Sequence, residues 1–160
     1  VTTSRIGPLI DYLFNLFNAA PTLGAATPPV LVFDGPVVTA APAQLALYVG
    51  VDDVFTDQAP ISASSEQARM GSTRGRQETV TIHCAAVAWA GTDDSRTVRA
   101  QAFAILAAVE DLIRGNADKF GGLADQGSPG VSGIGLQQST SDGTTAQVAF
   151  QVTFISFIGS

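Results

Sequence analysis

The stretch ETVTIHCAAVAWAGTDDSRTVRAQAFAILAAVEDLIR, Glu78–Arg114, decides the fold. It reads as a long strand from Glu78 to Ala90, a tight turn over Gly91–Asp94 and a long amphipathic helix from Ser95 to Arg114. Alternation sends Val80, Ile82, Cys84, Ala86 and Ala88 to one face of the strand. That face is small and uniformly apolar, so it predicts a helix packed on it. Thr79, Thr81, His83, Ala85, Val87 and Trp89 take the other face. Its Thr79 end is expected to be exposed and its Trp89 end covered. In the helix, Val98, Ala102, Ile105, Val109 and Leu112 form one apolar stripe, widened by Leu106 and Ile113. Asp94 or Ser95 can cap its start with a side-chain oxygen. Gly115-Asn116 fits a left-handed cap at its end, with Arg114 complementing the dipole.

Upstream, Ile6, Leu9, Ile10, Leu13, Phe14 and Phe17 follow the i, i+3, i+4, i+7 spacing of a helical face. Pro8 suits the first turn of that helix and Pro21 is expected to end it. Residues 21–29 read as a linker rich in Pro, Ala and Thr. Val30–Phe33 and Gln44–Val51 read as strands, the second with Leu45, Leu47, Val49 and Val51 on one face. Residues 55–77 show no period and are expected to form a long flexible loop. Downstream, residues 118–132 look irregular. Gly133–Thr140 and Thr144–Phe157 read as a hairpin around Asp142-Gly143. The last strand turns Val148, Phe150, Val152 and Phe154 inward. The sum is a single α+β domain over 1–160: a mainly antiparallel sheet of four to five strands with two long helices packed on it.

Composition narrows the function classes. Charged residues are 14% of the chain, against about 25% in an average soluble domain. Mean hydropathy is +0.26. Few charges with many apolar residues point to surface covered by further copies or by partners. The net charge of −6 argues against a broad DNA-binding face. No apolar run approaches the roughly 20 residues of a membrane span, and no signal peptide is expected. One cysteine allows no internal disulfide.

No arrangement of residues supports catalysis or a cofactor. His83 and Cys84 are neighbours in a strand, so they point to opposite faces and cannot form a dyad. A lone His is a poor metal site, and His83 reads as a polar residue on a half-exposed face. The acidic pairs Asp52-Asp53, Asp93-Asp94 and Glu110-Asp111 would need the fold to bring two of them together. Gly133-Ile134-Gly135 lacks the third glycine of a dinucleotide loop, and Gly71–Gly75 lacks the Walker lysine. The chain reads as a non-enzyme. Three of its eight basic residues, Arg69, Arg74 and Arg76, cluster in the segment expected to be a loop. With Met70 they are the candidate subunit-interface residues, because guanidinium groups pair well with the carboxylates of an acidic neighbour.

The order of elements carries a resemblance. A first helix, two strands, a long loop, a long strand ending in Trp89-Ala90-Gly91, a long helix and a C-terminal hairpin resemble the tail terminator proteins of long-tailed, siphovirus-type bacteriophages. Val1 in place of Met and the Ala, Gly and Arg bias fit a phage of a GC-rich host. The resemblance implies a ring, commonly a hexamer, at the head-proximal end of the tail tube. Such a ring stops tube polymerisation and docks the capsid neck. Its implied partners are further copies of itself, the tube protein and a neck or connector protein, with DNA passing through the lumen without specific binding. The implied location is the virion tail, assembled in the host cytoplasm. A head–tail connector or the tube protein itself is the nearest alternative; a small enzyme or ligand-binding domain is a more distant one.

Overall fold

The computed structural model describes residues 4–26, 28–35, 44–51, 61–67, 75–92, 94–116, 119–124, 130–140 and 143–158. In chain order the elements are α1 (Ile6–Asn18), α2 (Pro21–Gly24), β1 (Val30–Asp34), β2 (Leu45–Val49), β3 (Ile61–Gln67), β4 (Arg76–Ala90), α3 (Ser95–Arg114), α4 (Lys119–Gly122), β5 (Gly130–Ser139) and β6 (Thr144–Ile158). The fold is α+β, as the sequence pattern requires. The sheet has six strands in the order β1-β2-β4-β6-β5, with β3 also paired to β4. Every pairing is antiparallel except β1 with β2.

β4 and β6 form the spine. They pair over their whole length, from Arg76↔Ile158 to Ala90↔Thr144. The other edge of β4 is shared. β2 takes Cys84–Ala88 and β3 takes Arg76–Ile82. Between them the backbone N–H groups of Gly50 and Val51 both donate to the His83 carbonyl, at 2.8 and 3.0 Å. That double contact steers the chain out of the ladder where β2 stops.

One sheet face carries the core. Val80, Ile82, Cys84, Ala86 and Ala88 of β4 lie beside Phe154, Val152, Phe150, Val148 and Ala146 of β6. Leu9, Leu13 and Phe17 of α1, Leu23 of α2 and Val98, Ala102, Ile105, Leu106, Val109 and Ile113 of α3 pack into the same cluster. The predicted helical stripe therefore meets the predicted small strand face. Asp94 caps α3, its Oδ1 accepting from the Thr97 N–H at 3.1 Å. The Thr97 hydroxyl, donating to Asp94 Oδ2, and then the Thr97 N–H hold the Asp94 carboxyl below its ordinary range. No described helix is long and apolar enough to cross a membrane.

Several expectations change. Residues 61–67 are strand β3, so the expected loop over 55–77 is interrupted by a ladder to β4. Ala63 and Ile61 supply its few apolar positions, and pairing rather than hydrophobicity holds it. α1 stops at Asn18, just short of Pro21 as expected, but the linker expected over 21–29 opens with a short helix: Pro21 occupies the first turn of α2, where a missing N–H costs no hydrogen bond. Gly115 has φ −74°, a right-handed residue whose N–H still donates to Asp111 O, so the helix ends without a left-handed cap. The irregular stretch after it holds Phe120, fully buried at φ 59°. A left-handed non-glycine costs about 1–3 kcal/mol. Here the ring packs edge-on against Tyr12 and Phe154, with centroids 5.5 and 4.9 Å away. The Phe120 N–H donates to Asn116 Oδ1, and Asn116 Nδ2 donates to the Tyr12 hydroxyl. At the β5–β6 turn Gly143 has φ +78°, and a Cβ there would sit 2.5 Å from Ala90 O. That approach leaves room for glycine alone.

Glu78 ties α1 to the sheet. It is buried on the core face, and its Oε2 accepts from the Arg5 backbone N–H at 2.8 Å. Arg5 is the N-cap position of α1 and its own side chain caps nothing there, while the neighbouring Ser4 Oγ accepts from the Ile6 N–H at 3.2 Å. A carboxyl group from β4 thus satisfies a donor that the helix start leaves over. Glu78→Ala is expected to destabilise the fold by about 1–3 kcal/mol in chemical denaturation, because it orphans that donor. An unchanged denaturation midpoint would contradict the role.

Candidate assembly surface

The second sheet face carries no helix among the described residues. All the helices join the cluster on the opposite face. Along β4 this second face presents Thr79, Thr81, His83, Ala85, Val87 and Trp89, and along β6 Thr145, Gln147, Ala149, Gln151, Thr153 and Ile155. One row across the sheet runs Phe33, Tyr48, Ala85, Ala149, Gly135. Phe33 and Tyr48 stack, with centroids 5.2 Å apart, and the rest of the row is small. The Thr81 and Thr153 hydroxyls share a hydrogen bond of 3.2 Å. The face is largely polar and small-residue, with the Phe33–Tyr48 stack toward β1 and Trp89 on β4.

Burial on this face departs from the sequence expectation. His83 is 3% exposed rather than half-exposed. Thr79 and Thr81 are half-buried, as are Val87 and Trp89, so the covered part is the middle and not the Trp89 end. In the ladder His83 stands opposite Gln151, and its carbonyl accepts from Gly50 and Val51 at the point where β2 stops along the β4 edge. Strand alternation gives the face of a residue but not its depth within the sheet.

Of the four interface candidates, the structure describes Arg76. It is the first residue of β4, half-buried, flanked in register by Gln67 of β3 and Ile158 of β6. Arg69, Met70 and Arg74 lie outside the described residues. In the sequence they fall between β3 and β4. Asp52, Asp53 and Asp93 also lie outside the described residues. Glu110 is engaged within its own helix, where Arg114 Nη2 donates to its Oε2 at 3.2 Å. Among the described residues no three His, Cys, Asp or Glu side chains gather as a metal site.

Sequence reasoning missed two features. Glu78 was legible, since the alternation of Val80 and Ile82 places it on the core face. The second feature is a cleft of about 190 Å³ between α2, α3 and the β1–β2 pair. Leu23, Ala26, Val30, Leu45, Ala104 and Ile105 line it, with Gln101 among its polar groups. It is largely apolar and small, and nothing in the pattern of any one element announces it.

No family model matches the sequence. No curated protein matches it either. Among solved structures, the chain is similar to one from the virion of a native gene transfer agent (GTA) particle. The two are 13% identical, the match covers 97% of this chain and 100% of that one, and the TM-score is 0.51. At that identity the likeness is one of fold.

Cys84 shows how the two strand faces divide chemistry. It points into the core, 1% exposed, while His83 takes the other face. Burial pushes its thiol up to about 12, against a smaller downward pull from the Gly50 backbone. Thiolate is the reactive form. A thiol reagent at mildly alkaline pH is expected to label the native protein slower than the unfolded chain, on the order of a thousandfold. Prompt labelling of the native protein would contradict this burial.

Proposed function

We propose that this protein is a virion structural component of the bacteriophage-tail type, and specifically a tail terminator. The observation that carries the virion part of the reading is the match in fold over nearly the whole length to a virion chain. The terminator assignment rests on the element order in the sequence. The low charge content and the helix-free sheet face support a chain built to be covered by others.

In this reading copies close into a ring, a hexamer in the resembling family, at the head-proximal end of the tail tube. The mechanism is steric. One ring face matches the tube end, and the other cannot accept a further tube subunit but docks the neck. Burial of apolar surface between copies supplies the free energy, and Arg-to-carboxylate pairs fix the register. A net charge of −6 per copy lets DNA pass without adhering. The ring is a passive collar and carries out no catalysis.

The test is the mass distribution of the pure protein as concentration rises. A terminator reaches one closed species and stops. Open-ended polymers would favour a tube protein, and a persistent single chain would remove the ring. Replacing Arg69, Arg74 and Arg76 together by Ala is expected to raise the midpoint concentration of assembly about tenfold or more, equivalent to about 1.4 kcal/mol. Far-UV circular dichroism of the single chain should be unchanged. Wild-type assembly by the triple variant would show that these arginines lie outside the interface.

A further inference from the structure

The two terminal strands of the sheet carry a shared signature. Among the described residues, the exposed large apolar side chains are Leu31, Phe103, Ile134 and Leu136. Leu31 is in β1, at one end of the sheet. Ile134 and Leu136 are in β5, at the other end. Phe103 belongs with them. Arg99 Nη1 donates to Gln138 Oε1 at 3.2 Å, and Gln138 Nε2 donates to Ser95 O at 3.1 Å, which fixes one flank of α3 against β5. Phe103 is one helical turn beyond Arg99 on that flank, and Leu136 is two residues before Gln138 on the same strand face.

Both strands also leave a backbone edge unpaired by any described strand. β5 is bulged between Ser132 and Gly135, and beyond the bulge Gly135–Ser139 runs in regular register with β6. That regular segment matches the five residues of β1 in length. β5 has no charged residue, and β1 has only Asp34 at its end. Edge strands that must stay single are guarded by lysine, proline or charge. Here a bulge guards one part of one edge, and neither strand has lysine or proline.

Polarity makes the two edges fit each other. β1 runs parallel to β2, and β2 antiparallel to β4. β4 runs antiparallel to β6, and β6 to β5. β1 and β5 therefore point in opposite directions. A second copy set beside the first with its strands in the same sense brings its β1 antiparallel to the first copy's β5. Antiparallel pairing is the more stable kind. The near absence of charge on both edges means that no like charges face each other across the seam.

We infer that β5 of one copy pairs with β1 of the next, so that the sheet continues from copy to copy. This deepens the assembly reading above and rests on it. The contact is head-to-tail, so an open row keeps one of these edges free at each of its two ends until it closes on itself. Leu31 of one copy and Leu136 of the next then flank the new seam, one on each face of the continued sheet. Isologous pairing of β5 with β5 would leave Leu31 and the β1 edge uncovered.

Two variants test it, each with lysine on one edge: Leu31→Lys blocks β1 and Leu136→Lys blocks β5. Wild type should assemble, and each variant alone should run at the mass of one chain, 16.4 kDa. An equimolar mixture should form a species of about twice that mass and no larger, since one intact β5 meets one intact β1. Both positions are exposed, and circular dichroism checks the fold; if a lysine variant fails to fold, Leu31→Asp and Leu136→Asp replace the pair. Wild-type assembly by either variant overturns the edge pairing and leaves the ring reading standing. Blocked variants that stay single when mixed overturn the head-to-tail order. A wild type that stays a single chain at its highest soluble concentration overturns both readings.

Discussion

The full-length antiparallel ladder between β4 and β6 is the constraint on which the rest depends. Arg76 to Ala90 and Thr144 to Ile158 pair without a shift in register. A one-residue slip would turn the whole apolar set of one strand to the wrong face. The register is held by two-sided contrast: Val80, Ile82, Cys84, Ala86 and Ala88 on one face, threonines and His83 on the other. Because the core face of β4 ends in Ala86 and Ala88, α3 can lie on it with Ala102 buried between. Gly143 completes the arrangement, since its missing Cβ lets the β5–β6 turn close against Ala90.

From that ladder follows a one-sided molecule. α1, α2, α3 and Phe120 all pack on the core face, and Glu78 and Phe120 fasten the helical layer at the Arg76 end. An antiparallel sheet can leave its second face to water. The second face here is lined by threonine, glutamine and small residues, with the Phe33–Tyr48 stack at its β1 side. Among the described residues, the large exposed apolar side chains of the sheet are on its outer strands, Leu31 on β1 and Ile134 and Leu136 on β5. A chain that assembles laterally needs its stickiness at its sides, and that is where this sheet places it.

The long, strongly patterned elements were legible in the sequence. Ser95–Arg114 is a helix at the predicted bounds, and the final strand turns Val148, Phe150, Val152 and Phe154 inward as its alternation requires. What stayed hidden depends on partners distant in sequence. β3 has the composition of a loop, Ser-Ala-Ser-Ser, and becomes a strand because β4 offers it an edge. His83 is buried at the place on β4 where its carbonyl meets Gly50 and Val51, some thirty residues upstream. Phe120 takes a left-handed conformation that no local preference favours, because the cavity between Tyr12 and Phe154 rewards it. The candidate surface was half legible. The arginine cluster is a feature of composition. The apolar ends of the sheet emerge only when strand order is known, since Leu31 and Leu136 look like ordinary strand residues in the sequence.

Backbone hydrogen exchange, followed residue by residue in dilute and in concentrated protein, tests the central claim that the sheet is a lateral building unit. The amides of β4 and β6 should be the slowest to exchange at both concentrations, since their ladder opens only on global unfolding. Added protection at high concentration should fall on β1 and on Gly135–Ser139 of β5. Concentration-dependent protection confined to the helices, or none at either terminal strand, would contradict it.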